Sequence, residues 1–248
     1  MRRIDSSFGE NLQILVSPDP RLLLKAEQVT VEELPELREI ASEMAELMYD
    51  TQGCGLAAPQ IGLSKRFIVV DPDWGIIESE DGEPNPPDPH YLVNPVIRRL
   101  WGDKETLAEG CLSVPGITVP IERYEFAEVE ALDLYGELQV FEAEGFAARV
   151  LQHEIDHLDG KTLFERLDPL QRIEALQQYE IALSAGAKPG DTSIPDADAV
   201  GAEGASGAVG AADAAGVVGA ADAPRAADAA STTSTTVTGD STNPGEAH

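Results

Sequence analysis

Residues 153–157 read His-Glu-Ile-Asp-His, and no other stretch of the chain restricts its fold as tightly. Wound as a helix, the segment sets His153 and His157 one turn apart on one face, with Glu154 beside them. Two imidazoles so placed can hold one metal ion, and the glutamate can move a water proton. Two core histidines flanked by Glu154 and Asp156 would be costly to bury with no ion to justify them. The chain's other histidines are His90, in a proline-rich stretch, and His248, its last residue. Phe146, Val150, His153 and His157 fall on one stripe of the predicted helix, so the pair is expected to face the interior.

Composition decides how much of the chain can build that interior. From about Ala185 onward the sequence is mostly Ala, Gly, Asp, Ser and Thr, with Val nearly the only large apolar side chain and no aromatic residue. Such a stretch cannot bury enough apolar surface to offset the entropy of ordering it. The expectation is one folded domain, 1–184, followed by a disordered tail, 185–248. Nine acids against Lys188 and Arg225 put −7 of the −28 formal charge in the tail and leave −21 for the rest. A surface this acidic repels nucleic acid and anionic lipid, so neither is an expected partner. Cys54 and Cys111 do not make a disulfide framework. Arg2 and Arg3 are followed by Ile4-Asp5-Ser6-Ser7, which lacks the apolar core of a signal peptide. No apolar run approaches the roughly 20 residues that cross a bilayer. These features predict a soluble, cytoplasmic chain with reduced thiols.

Thr30-Val31-Glu32-Glu33 has the form of a capping box, and Leu34, Leu37, Ile40, Met44, Leu47 and Met48 follow at helical spacing. A helix over about 31–50 is predicted, stopped by Gly53. Strands are predicted over 65–70, 91–101, 125–134 and 138–144, with Pro95 placing the second at an edge or bulge. Residues 71–90, rich in proline and acids, read as a long polar loop. The metal helix is predicted over 146–158. A last helix, capped by Asp168 with Pro169 at its first position, carries an apolar stripe of Leu170, Ile173, Leu176 and Ile181. Helix, strands, then helices is an α+β order: mixed or antiparallel strands around a central metal-binding helix, with an N-terminal and a C-terminal helix.

Two histidines need a third protein ligand. The extended motif H-E-x-x-H-x-x-G-x-x-H fits at Gly160 but fails at Leu163, and no methionine follows Met48. Glu174 and Glu180 lie on the last helix, where solvent is their expected surrounding. Cys111, in Glu109-Gly110-Cys111-Leu112-Ser113, is the better candidate. A Cys-His-His set leaves one position open for water, as catalytic sites do.

Three blocks now stand in order: Gly53-Cys54-Gly55-Leu56-Ala57-Ala58-Pro59-Gln60, Glu109 to Ser113, and Gln152 to Gly160. With them the chain resembles the peptide deformylases over about residues 10–180. The resemblance implies a metal-dependent hydrolase that removes the formyl group from the N-terminal formylmethionine of newly made polypeptides and releases formate. It implies one ion per chain, Fe2+, with Zn2+, Ni2+ or Co2+ as substitutes. Cys111, His153 and His157 would be the ligands. Glu154 would be general base and acid for an activated water. The Gln60 amide and the Leu112 N–H would stabilise the oxyanion. Gly55 would let the substrate backbone lie close, with Cys54 at the edge of that contact. Glu109 and Arg123 match charged positions of the family and would pair to hold the cysteine loop. The implied partners are N-formylmethionyl nascent chains, met near the ribosome by a monomeric enzyme. The mixed charges of residues 165–184 argue against docking on the ribosome through that end.

Overall fold

Helical periodicity after Thr30 yields two pieces: a 3-10 turn, Val31–Glu33, and helix α1, Leu34–Asp50. Glu33 reaches back to the Thr30 amide at 2.9 Å, one half of the expected capping box, and its other oxygen meets Lys65 Nζ at 2.7 Å. The computed structural model describes residues 12–76 and 84–193. The expected loop falls partly on residues 77–83 and the expected tail mostly on 194–248, outside the described residues.

Five strands form one sheet in the order β1 (Gly55–Ala57), β2 (Phe67–Val70), β3 (His90–Cys111), β4 (Val114–Leu132), β5 (Leu138–Glu144). Every neighbouring pair is antiparallel. β2 explains why the sheet needs cover on both faces, for all four of its residues are buried. Phe67 and Val69 pack with Leu37, Met44 and Met48 of α1. Ile68 and Val70 point the other way, against Val150, Leu151, Ile155 and Leu158 of helix α2, Gly145–Leu158. The metal-motif helix is thus central, as its buried stripe predicts. Phe146 departs from that stripe: it is 54% exposed, at the helix's first turn.

The strands predicted over 91–101 and 125–134 are the outer parts of one long hairpin, β3–β4. Its inner part was not legible because residues 102–107 are exposed and mix charges without alternation. Gly102, Pro115, Gly116 and Pro120 also read as breakers there. Pro95 sits at the expected bulge, between the Val93 and Val96 pairings. Asn94, at φ 53°, bonds both the amide and the carbonyl of Val29 from that bulge, each at 2.8 Å. At the far end Cys111 pairs with Val114, so Leu112 and Ser113 form the hairpin loop.

Helix α3, Pro169–Ser184, starts as expected: Asp168 Oδ1 accepts from the amides of Leu170 and Gln171. Its expected apolar stripe is not its buried face. Leu170 is 74% exposed and Ile181 57%, whereas Ala175, Tyr179 and Ala182 are buried against Val114, Ile117, Val119 and Ile121 of β4. Close approach is the reason. A Cβ placed on Gly116 would stand 2.7 Å from the Ala182 Cβ, so at this crossing only a small side chain fits, while Tyr179 fills the space further along. Past Ser184 the described chain stays against the domain: Ala187 joins this cluster, and the Asp191 carbonyl accepts from the Gly116 amide at 2.7 Å. Among the described residues no helix is long and apolar enough to cross a membrane.

Candidate metal centre

α2 sets the His153 and His157 rings with centroids 5.0 Å apart. The β3–β4 hairpin carries Cys111 to them from 42 residues upstream of His153. Cys111 Sγ lies 3.3 Å from His157 Nε2, and the ligand atoms of all three residues lie within 4.8 Å of one another. Tetrahedral ligands at about 2.3 Å for sulfur and about 2.0–2.1 Å for nitrogen stand roughly 3.5 Å apart, so the donors fit one ion. Among the described residues no other such group occurs.

The surroundings set the charge of each donor. A carboxylate only accepts, so the 2.9 Å contact of Glu109 Oε2 with His153 Nδ1 puts the proton on Nδ1 and leaves Nε2 for an ion. Burial pushes the Cys111 thiol up, but His157 and His153 overcome it and bring the pKa down to about 5. Burial would lower His153; Cys111 and Glu109 hold it well above its ordinary value instead. Both shifts favour the ionic forms, thiolate and imidazolium, whose proton a cation can displace. Burial raises Glu154 above the usual carboxylate range, against the pull of His153 and His157. Its Oε2 is buried with no hydrogen-bond partner, and so is His157 Nδ1. An orphaned carboxylate oxygen beside three metal donors is a place for a water.

Residues 11–173 match the family model for polypeptide deformylase. The chain belongs to that family. It is 46% identical over 154 residues to the peptide deformylase of Desulforudis audaxviator, which covers 62% of this chain and 92% of that one. It is 41% identical over 163 residues to that of Stenotrophomonas maltophilia strain R551-3, covering 65% and 89%. The crystal structure of a Synechococcus elongatus peptide deformylase in complex with actinonin overlays with a TM-score of 0.59 at 38% identity, covering 70% and 90%.

The fold brings Cys54, Gly55, Gln60 and Leu112 to the same place as Cys111, His153, Glu154 and His157. Gln60 ends in the short helix Ala58–Ile61, where its Oε1 accepts from the Ala57 amide at 2.8 Å. Its Nε2 then faces Ser113 Oγ at 3.1 Å and Cys111 Sγ at 3.7 Å. A 210 Å³ cavity opens over the centre, lined by Cys54, Gly55, Gln60, Leu112, Phe146 and Val150 among others. Gly55 has a second reason to be glycine: a Cβ there would stand 2.4 Å from Glu154 Oε1. Cys54 is a neutral thiol at neutral pH, pushed up to about 12 by burial and by the Glu154 charge.

The expected Glu109–Arg123 pair forms, with both guanidinium contacts at 3.0 Å. The sequence did not disclose the rest of its network. Arg149 Nη1 also binds Glu109 Oε1, at 2.7 Å. Arg123 Nη1 continues to Asp156 Oδ2 at 2.5 Å, and Arg166 grips both Asp156 oxygens. Arg149 is one turn before His153 on the same helix, so its position carried a usable signal.

Proposed function

We propose that this chain hydrolyses the formamide of N-formylmethionyl polypeptides, releasing formate, with one Fe2+ held by Cys111, His153 and His157. Zn2+, Ni2+ or Co2+ would serve in its place. One observation carries the reading: a thiolate and two imidazoles converge beside Glu154, a buried carboxylate with an unpartnered oxygen. When bound, the ion supplies Lewis acidity, making a water more acidic and polarising the formyl oxygen. Glu154 takes the water's proton and delivers it to the leaving amine, and its raised pKa suits both transfers. The Gln60 amide and the Leu112 N–H donate to the oxyanion as it develops. β1 is the sheet's edge strand, so its open side can pair with an extended peptide, and Phe146 and Val150 offer an apolar wall to the methionine. The same reading makes the enzyme a cytoplasmic monomer that works near the ribosome, where formylated chains emerge. Every metal-binding and proton-moving group of this reading lies within residues 1–184.

Formate release from formyl-Met-Ala-Ser tests the proposal, measured with metal content in the wild type, Cys111→Ala and Glu154→Gln. Both variants should lose activity, with metal kept only by Glu154→Gln. Cleavage of internal peptide bonds would identify an endopeptidase. Metal binding without any turnover would identify a binding module.

A further inference from the structure

The cavity over the centre has a wall from an unexpected part of the chain. Gly190, Asp191 and Thr192, beyond α3 and beyond the residues matched to the family, line it together with Gly53–Gly55 and Gly110–Leu112. The segment comes close to the domain at three points. Gly190, at φ 102°, lies so close to the end of α1 that a Cβ on it would stand 2.7 Å from the Thr51 carbonyl oxygen. The Asp191 carbonyl accepts from the Gly116 amide at 2.7 Å. Thr192 Cγ2 stands 3.7 Å from the position a Cβ would take on Gly110. Within the turn, the Asp191 amide donates to Lys188 O at 3.0 Å and the Lys188 amide donates to Asp191 Oδ2 at 2.7 Å. Asp191 is therefore an exposed residue of the cavity lining whose carboxylate is held in place by the Lys188 amide. The cation lining the same cavity, Arg149, is committed to Glu109, Ile121 O and Glu105 O.

We propose that the turn Lys188–Thr192 is the outer wall of the substrate groove and that Asp191 determines specificity there, disfavouring acidic residues just after the formylmethionine and favouring basic ones. This rests on the deformylase reading. A peptide lying in extended form along Gly53–Gly55 advances about 3.3 Å per residue, so its second and third residues pass the cavity mouth. A unit charge a few ångströms from Asp191 in a solvated groove feels an interaction that changes kcat/KM by about fivefold, weakened by salt.

The test uses the metal-loaded full chain and two peptide pairs, formyl-Met-Ala-Lys against formyl-Met-Ala-Glu and formyl-Met-Lys-Ala against formyl-Met-Glu-Ala. The acidic surface as a whole favours lysine in every variant, so the readout is the change in the Lys/Glu ratio of kcat/KM. Asp191→Asn keeps an oxygen for the Lys188 amide and should lower the ratio at least about threefold at low salt in one pair. Asp191→Lys should lower it further, and thermal unfolding checks that both variants fold. Ratios that match the wild type in both pairs overturn the proposal while the deformylase reading stands. No formate from any peptide with the wild type overturns both.

Discussion

Replacing Glu109 by Gln tests whether the metal site depends on a buried charge that never touches the ion. The Glu109 oxygens accept four hydrogen bonds: Oε1 from Arg123 Nε and Arg149 Nη1, and Oε2 from Arg123 Nη2 and His153 Nδ1. A glutamine of the same shape keeps one oxygen and turns the other into a donor that faces donors. At least two bonds are lost, and Asp156 is left as the carboxylate partner of Arg123. Breaking a buried ion pair from one side costs about 3–5 kcal/mol. A second route gives a similar figure. Burial pushes the Glu109 carboxyl up, but hydrogen bonds from His153 and Arg123 hold its pKa at about 2, against an ordinary 4.5. That difference corresponds to about 3 kcal/mol. The folded pKa is the lower one, so this stability is complete above about pH 5 and is lost as pH falls from 4.5 through about 2. Urea unfolding of the metal-free protein should show Glu109→Gln destabilised by about 3–4 kcal/mol at pH 7, with the gap closing toward pH 3. Metal affinity should drop about 10–100-fold, because His153 loses the partner that fixes its ring. A variant within about 1 kcal/mol of the wild type, with metal affinity within about threefold, would mean that neither the fold nor His153 depends on the Glu109 charge.

Other outcomes follow from single contacts. Gly55→Ala puts a methyl 2.4 Å from Glu154 Oε1, so formate release should fall at least about tenfold while metal content stays unchanged. The iron-loaded enzyme should lose activity in air, more slowly with reductant or with Ni2+ in place of iron, because ferrous iron beside the Cys111 thiolate is open to oxidation; full activity after exposure would contradict an iron–thiolate centre. Deleting residues 194–248 should leave kcat/KM on short formyl peptides within about twofold, whereas deleting 185–248 should change it further through loss of the Gly190–Thr192 wall.

What was legible in the chain was local. His153, Glu154 and His157 share a helix turn, so their mutual placement needs nothing beyond 3.6-residue periodicity. Asp168-Pro169 starts α3 through bonds spanning three residues. Pro95 marks a bulge because it lacks an N–H. Cys111 could be nominated by the residues around it, but only the β3–β4 register brings its sulfur to His157. Tertiary contact also chose which face of α3 to bury. Periodicity pointed to leucines and isoleucines, yet the narrow gap at Gly116 admits alanines. The contacts of the guanidinium network and of the wall at Gly190–Thr192 join residues from 10 to more than 100 positions apart, beyond the reach of helix or strand periodicity. Side-chain chemistry and turn geometry act over a few residues and can be read along the chain, whereas packing distance and charge pairing arise when remote segments meet.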